Sequence, residues 1–375
     1  MPSSVPPLSH QSPSTKIGRA SSKHHRQQGR LEVGNEPNTM LAAISMDVVR
    51  SHPNYLPQQA WPAHYPPLTV ELATRLPREM GPFTKQRSLE WHACRVGVVS
   101  ASMLAYILGF SEVGSRKLLG LLAGSWWTSR ERGVASFHQL YGQQQPAGSP
   151  HPALAWGISH EANNAMRILG GHTELQCLQQ FSTVQLRECG FYLWSAPADV
   201  VQSLEGGLVP LGASPDCILH CSTPEGQQRF LLAEFKSMFP YANTEGLTFN
   251  FKWLGGFKQP PATPPPHYFA QCQLQMLVLG VPECVLLYHT ITKSKAFKLV
   301  FDAAWCMSML RVLCQITRHY ITPKVVPPAD FGLGLEGYKE FLDLTRKLCT
   351  QVPSQELASL QTQPDAFKQQ RFLDR

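Results

Sequence analysis

The segment GASPDCILHCSTPEGQQRFLLAEFKS, residues 212–237, decides which fold is expected for this chain. Its second half contains an unbroken apolar run, residues 230–233, which is followed by Glu234 and Lys236. Such a run is typical of a strand buried on both faces, and residues two apart in a strand share a face. The segment therefore predicts a buried strand that ends in a carboxylate and an amine. The competing interpretation is a solvated sheet rim, where Glu and Lys commonly alternate.

The polar turn STPEGQQR joins this strand to the preceding SPDCIL and predicts a β-hairpin. A hairpin would place Asp216 beside Glu234, and buried charges are costly unless they are paired or bind a metal. Carboxylate oxygens suit Mg²⁺ or Mn²⁺, and such an ion lowers the pKa of a bound water and balances charge on a phosphoryl group. Lys236 would orient that water, or deprotonate it if the lysine pKa is depressed. The pattern therefore predicts phosphodiester hydrolysis.

The composition is that of a globular protein without a membrane span. The chain has 375 residues, of which 43% are hydrophobic and 16% charged, enough for one large domain or two ordinary ones. No apolar run approaches the roughly 20 residues that a transmembrane helix needs. The net charge is +7, but five of the 33 basic residues lie in the acid-free first 31 residues. The remainder is close to neutral, so any DNA site there must be a local patch.

The N-terminal region, residues 1–75, is rich in Ser, Pro, His and Gln and is expected to be mostly disordered. Its first 31 residues fit a mitochondrial or chloroplast transit peptide as well as an unstructured basic tail. An intracellular location is expected, and a nuclear one stays open. The ten scattered cysteines form no CxxC and indicate reduced core thiols. A zinc-organised module around Cys217 and Cys221 is an alternative that lacks a second ligand pair.

The pattern over residues 80–325 indicates one domain of α/β or α+β class, with a mixed central sheet flanked by helices. Helices are expected at SLEWHACRVGVVSASMLAYILG with a break at Gly97, at ALAWGISHEANNAMRILGG, at YFAQCQLQMLVLG and after Asp302. Strands are expected at 191–194, 208–220, 230–236 and in ECVLLYHTIT and KAFKLVF. The proline-rich stretch 259–267 is a predicted loop of unassigned role, and residues 326–375 are a predicted helical tail.

Six motifs appear in a fixed order along the chain. They are WHACRVGVVSAS (91–102), ALAWGISHEANNA (153–165), GASPDCIL (212–219), LAEFKS (232–237), LGGF (254–257) and YFAQCQLQM (268–276). Together they resemble the phage lambda exonuclease or YqaJ-type viral recombinase family, within the PD-(D/E)XK nuclease superfamily, over about residues 85–300. The resemblance implies a restriction-endonuclease-like fold. The proline-rich insertion and the long N-terminal region depart from the family pattern.

The resemblance also implies site residues. Asp216, Glu234, Glu161 and the backbone carbonyl of Phe235 would bind one or two Mg²⁺ or Mn²⁺ ions. Lys236 would position the attacking water. Two further roles are implied: Gln271 lines the same site, and Arg95 with Ser102 binds a 5′-terminal phosphate. Alternatively, Glu161 is an ordinary exposed helix glutamate and Arg95 a surface helix residue.

The activity that the resemblance implies is a metal-dependent exodeoxyribonuclease, acting 5′→3′ on double-stranded DNA ends in recombination or repair. It further implies a homotrimeric ring and a single-strand annealing protein as partner. Two alternatives stay open, a restriction-type endonuclease and a catalytically silent DNA-binding scaffold of the same fold.

Overall fold

The computed structural model describes residues 44–56, 86–110, 130–142, 152–194, 196–204, 207–239, 241–243, 251–253, 259–290 and 293–358. The helices are α1 (Met46–Arg50), α2 (Leu89–Ala93), α3 (Ala101–Ile107), α4 (Arg130–Leu140), α5 (Pro152–Ser159), α6 (Glu161–Gly171), α7 (Ala198–Ser203), α8 (Pro266–Leu279), α9 (Ala303–Ile316) and α10 (Tyr338–Gln351). The strands are β1 (Val99–Ser100), β2 (Thr183–Glu188), β3 (Tyr192–Leu193), β4 (Leu211–Ala213), β5 (Cys217–Ser222), β6 (Gln228–Ser237), β7 (Tyr241–Asn243), β8 (Phe251–Trp253), β9 (Glu283–His289), β10 (Lys293–Val300) and β11 (Ser354–Ala358). Within these ranges no helix is long and apolar enough to cross a membrane.

A six-stranded sheet in the order β11-β10-β9-β6-β5-β2 forms the centre of the fold. Its neighbouring strands are antiparallel except β6 and β9, which are parallel. A parallel pair needs a crossover connection, and α8 lies in the segment that joins these two strands. The mixed sheet with helices on its faces confirms the predicted fold class.

The predicted hairpin is confirmed and sets the register at the candidate site. Strands β5 and β6 pair from Cys217↔Ala233 to Ser222↔Gln228, and the turn between them contains Gly226 with φ 83°. The sequence pattern predicted one strand over 208–220, but the structure has β4 and β5 separated by residues 214–216. Proline has no N–H for a sheet ladder, so Pro215 interrupts the strand and leaves Asp216 just outside the paired region.

Strand β6 is buried on both faces, as its apolar run predicted. Phe230 and Leu232 belong to the core on one side of the sheet, beneath α8 and α9. Leu231 and Ala233 belong to the core on the other side, which includes residues of α6. Each fully buried leucine contributes about 1.5–3 kcal/mol relative to an exposed one, so this strand is a rigid support for the residues that follow it.

The N-terminal residues 44–56 are structured, which their composition did not indicate. Val49 of α1 is fully buried, and Tyr55 forms a parallel bridge to Leu186 on the edge strand β2. Backbone bonds join Leu56 N to the Leu186 carbonyl (2.8 Å) and Leu186 N to the Asn54 carbonyl (2.9 Å). The rest of the predicted disordered region, including the possible transit peptide, lies outside the described residues.

The C-terminal residues 338–358 contribute to the same core rather than projecting from it. Phe341 and Leu342 of α10 are fully buried, and β11 pairs with β10 as the outer strand of the central sheet. The pattern had predicted helix here but not this strand. Residues 259–265 of the proline-rich stretch are a loop as predicted, whereas Pro266 and His267 already belong to α8, and the Lys295 Nζ donates to the Ala262 carbonyl within the loop (3.1 Å).

Candidate active site

Asp216 joins the ends of strands β5 and β6. Its Oδ2 accepts a hydrogen bond of 2.6 Å from the backbone N–H of Phe235. The N–H and C=O of one strand residue point to the same side, so the Phe235 carbonyl faces the same gap beyond the end of β5. Continuing the hairpin register by one pair sets Asp216 opposite Glu234. The predicted neighbourhood of Asp216, Glu234 and the Phe235 carbonyl is therefore present.

Glu234 is only 2% exposed, and both of its carboxylate oxygens accept hydrogen bonds. Oε1 accepts from Gln271 Nε2 at 2.6 Å and from Lys236 Nζ at 2.5 Å. Oε2 accepts from Gln275 Nε2 at 2.7 Å. Gln271 and Gln275 lie one turn apart on α8 and so share a face of the helix. The motif pointed to Gln271; Gln275 was missed, although its i+4 spacing from Gln271 was a usable signal.

Lys236 lies on the same strand face as Glu234, with its Nζ 4.9 Å from the centre of the Tyr268 ring. Burial is the largest single effect on the pKa of this ammonium and lowers it, but the charges of Glu234, Tyr268 and Asp216 and the hydrogen bond to Glu234 together outweigh burial, and the net effect raises the pKa above its ordinary value. Lys236 is therefore a charged donor in this arrangement. The depressed pKa that direct deprotonation of water would require is not present here, which favours an orienting role.

Glu161 is the first residue of α6, and its side chain is 24% exposed. Its Oε1 accepts a hydrogen bond from the Arg87 guanidinium, 74 positions earlier in the chain. Burial raises the Glu161 pKa, and the charge of Arg87 partly offsets that effect. Glu161 is thus not a simple surface glutamate. Sequence reasoning missed Arg87, because nothing in its local pattern predicts a partner so far away.

The three carboxylates interact with one another. The pKa of Asp216 lies well above its ordinary value, first because of burial and then because of the charges of Glu234 and Glu161. Asp216, Glu161 and Arg87 also line a cavity of about 330 Å³ that opens to the surface. The three carboxylates outnumber the two cationic side chains that contact them, Lys236 and Arg87, which suits a site for a cation.

The oxygen atoms available here fit a hard divalent cation, but some of their present hydrogen bonds would have to be exchanged for the ion. Carboxylate and carbonyl oxygens are what Mg²⁺ and Mn²⁺ prefer. Among the described residues, however, no three or more His, Cys, Asp or Glu side chains are already gathered as ion ligands. Instead, Lys236 and the two glutamines hold Glu234, and Arg87 holds Glu161. Cys217 and Cys221 are buried in β5, and the same finding gives the zinc alternative no support.

Arg95 lies in a polar pocket built by the turn after α2 and the start of α3. One of its terminal nitrogens donates to Ser100 Oγ at 2.7 Å and to Ser102 Oγ at 2.8 Å. Its guanidinium carbon lies 4.0 Å from the centre of the Trp91 ring. Burial lowers the Arg95 pKa to about 10, still high enough for a full positive charge at neutral pH. Its Nε is buried without a partner among the described residues, so a donor remains for an anion.

Two hydrogen bonds reach the SPD segment, one from Trp91 of this pocket and one from Gln86, which precedes α2. Trp91 Nε1 donates to Ser214 Oγ at 3.1 Å, and Gln86 Nε2 donates to the Pro215 carbonyl at 2.9 Å. Trp91 thus packs against Arg95 while contacting the residues that precede Asp216. The turn at Gly97, with φ 72°, separates α2 from α3 as predicted. Trp91 therefore links the Arg95 pocket to the segment that precedes Asp216.

Comparisons with known proteins give structural likenesses only. No protein-family model matches the chain, and no curated protein matches it. Among solved structures, an alkaline exonuclease (LHK-Exo) from Laribacter hongkongensis is 17% identical with a TM-score of 0.35, covering 69% of this chain and 98% of that one. LHK-Exo in complex with dAMP is 19% identical with a TM-score of 0.30 over the same shares. The protein SSO0001 is 13% identical with a TM-score of 0.30, covering 63% and 84%. Values this low do not place the chain in a family.

Proposed function

We propose that this protein is a metal-dependent deoxyribonuclease that hydrolyses phosphodiester bonds. The observation that supports this most directly is the hydrogen bond from the Phe235 N–H to Asp216. It brings Asp216 to the strand end that carries Glu234 and Lys236, as the sequence pattern requires. A carboxylate pair with one ammonium at the end of a buried strand is costly to fold without a function to maintain it.

In this proposal, Asp216, Glu234, Glu161 and the Phe235 carbonyl hold one or two Mg²⁺ or Mn²⁺ ions. Bound there, a divalent ion supplies an activated water and offsets charge on the phosphoryl group. Lys236 donates to Glu234 and is within reach of a water held beside it, so the chain's contribution is to orient that water. Gln271 and Gln275 fix the Glu234 carboxylate by donating to both of its oxygens.

Arg95 is the basis for proposing that the enzyme acts on DNA ends. A guanidinium with a free buried donor, flanked by two serine hydroxyls, is suited to a terminal phosphate. A 5′-phosphate pocket linked through Trp91 to the segment that precedes Asp216 favours 5′→3′ exonuclease action on double-stranded ends. A homotrimeric ring, an annealing-protein partner, a role in recombination or repair and an organellar or nuclear location stay predictions of the sequence.

A digestion time course with Mg²⁺ tests the proposal against its alternatives. Linear duplex DNA is labelled separately at the 5′ and 3′ ends, with closed circular DNA and an EDTA sample as controls. The proposal predicts early loss of the 5′ label, late loss of the 3′ label and an intact circle. Cleavage of the circle would favour a restriction-type endonuclease. DNA binding without any cleavage would favour a silent scaffold.

Arg95→Ala is expected to abolish the preference for phosphorylated ends. Wild type should digest 5′-phosphorylated duplex at least about tenfold faster than 5′-hydroxyl duplex, since a charge-assisted contact contributes about 1.5–3 kcal/mol. The variant should digest both at similar, low rates. Arg346→Ala, which removes an exposed arginine paired with Asp343 on α10, is the matched control and should keep the wild-type ratio. An unchanged ratio in Arg95→Ala would exclude the pocket.

A further inference from the structure

Arg87 has an unusual backbone conformation close to the proposed ion site. Its φ is 70°, in the left-handed region that non-glycine residues seldom occupy and that costs about 1–2 kcal/mol. The preceding side chain, Gln86, holds the turn by donating to the Pro215 carbonyl next to Asp216. Strained residues of this kind persist where the surrounding structure fixes them. Arg87 lines the cavity that Asp216 also lines.

The Arg87 guanidinium contacts Glu161 directly. Its side chain is 40% exposed, lines the same cavity as Asp216, and donates to Glu161 Oε1. Glu161 is one of the carboxylates proposed to bind the metal. An oxygen that accepts a guanidinium N–H cannot at the same time coordinate an ion along the same direction. The arginine and the ion therefore compete for Glu161 Oε1, and an ion on the other oxygen would face a like charge across the carboxylate.

Charge balance indicates where the guanidinium goes when an ion is bound. Asp216, Glu161 and Glu234 carry three negative charges, and Lys236 with one divalent ion would carry three positive ones. The Arg87 charge is then surplus at the carboxylates. Asp47 and Glu188 also line the cavity but are already paired with Arg50, so the anion left for Arg87 is a DNA phosphate entering the cavity, for which a guanidinium fork is well shaped.

Resting on the proposed function, we propose that Arg87 is a displaceable counter-ion of the metal site. Without metal it occupies Glu161 and stabilises the empty carboxylate cluster. With metal bound it leaves Glu161 and contacts the DNA phosphate next to the bond that is cut. Arg87 is thus a positioning residue that couples loading of the ion to binding of the substrate.

The test measures Mn²⁺ affinity of the full chain by electron paramagnetic resonance, without DNA and at the same pH for every variant. Arg87→Gln should bind Mn²⁺ about threefold to tenfold more tightly than wild type, because no cation has to be displaced. Arg50→Gln is the matched control: Arg50 lines the same cavity but pairs with Glu188 and Asp47, which are not proposed ligands. It should stay within about twofold of wild type.

A second measurement tests the transfer to phosphate. In Ca²⁺, which supports binding but is expected not to support cleavage, Arg87→Gln should bind duplex DNA about tenfold more weakly than wild type. Arg87→Lys keeps the charge and should recover part of that affinity. It also keeps the test decisive if Arg87→Gln fails to fold.

The outcomes separate the two claims. Equal or weaker Mn²⁺ binding by Arg87→Gln, with wild type binding the ion, would overturn the counter-ion role and leave the nuclease proposal intact. Unchanged DNA affinity in Arg87→Gln would overturn the transfer to phosphate. Absence of Mn²⁺ binding by wild type itself would overturn the proposed function, and with it this inference.

Discussion

Lys236→Ala is expected to reduce the rate of DNA cleavage by about 10³-fold or more. A single preorganised donor at the reacting centre commonly contributes about 10²–10³ to turnover, and removing this amine also leaves the buried Glu234 without its cationic partner. Gln271 and Gln275 still hold Glu234 in the variant, so metal binding and DNA binding should change by less than about tenfold. Single-turnover cleavage and Mn²⁺ titration on the same preparations separate these effects.

The control for this prediction is Lys298→Ala. Lys298 lies on strand β10 of the same sheet and pairs with Glu283 at 2.8 Å, so its removal breaks a comparable strand ion pair away from the candidate site. This variant should cleave DNA at close to the wild-type rate. If Lys236→Ala cleaved DNA as fast as Lys298→Ala, the orienting role of Lys236 would be wrong.

Asp216→Asn is expected to abolish cleavage and, at the same time, to stabilise the metal-free protein. The carboxamide oxygen can still accept the Phe235 N–H, so the hairpin end should keep its shape. The variant lacks the negative charge that an ion would need, and cleavage should fall by about 10³-fold. Because a partly buried charge beside two other carboxylates is lost, the melting temperature in EDTA should rise by a few degrees, or about 1 kcal/mol.

The difference in stability between wild type and Asp216→Asn is also expected to depend on pH. The pKa of Asp216 is raised in the folded state by burial and by the charges of Glu234 and Glu161. The folded protein therefore holds this proton more tightly than the unfolded chain, whose aspartate pKa is about 3.9. The stabilisation that protonated Asp216 gives the folded protein is fully present below the unfolded-state pKa. It is lost as the pH rises through the raised folded-state pKa. In EDTA, wild type should lose stability over this interval relative to Asp216→Asn.

Asp302→Asn is the matched control for both measurements. Asp302 caps α9 by accepting the Trp305 N–H at 2.7 Å, and asparagine caps a helix about as well as aspartate. This variant should retain wild-type cleavage and should not reproduce the pH-dependent difference. A melting temperature for Asp216→Asn that is equal to or below that of wild type at neutral pH would contradict this prediction. It would mean that the repulsion among Asp216, Glu234 and Glu161 does not destabilise the metal-free protein.

The sequence was most informative where local patterns carry the physical cause. The apolar run before Glu234 predicted a strand buried on both faces, because only such a strand lacks alternation. The polar turn predicted the hairpin, and with it the position of Asp216 opposite Glu234. Both predictions depended on interactions within about 25 residues of chain, where spacing and periodicity are reliable guides.

Features that depend on distant contacts could not be read in the same way. The contact of Arg87 with Glu161 spans 74 positions, and no periodicity encodes it. Residues 44–56 pack on the edge strand β2 through backbone bonds, which leave no trace in composition. The charge state of Lys236 also depends on tertiary structure, because burial and the Glu234 carboxylate act on its pKa in opposite directions.

The most direct test of the central claim is a crystal of the full chain soaked in Mn²⁺, with the ion located by its anomalous scattering. An ion is expected at roughly 2.0–2.4 Å from carboxylate oxygens of Asp216 and Glu234 and from the Phe235 carbonyl, with Arg87 moved away from Glu161. An ion-free site in which Lys236 and Arg87 still hold Glu234 and Glu161, at Mn²⁺ concentrations well above those that saturate known nucleases, would contradict it.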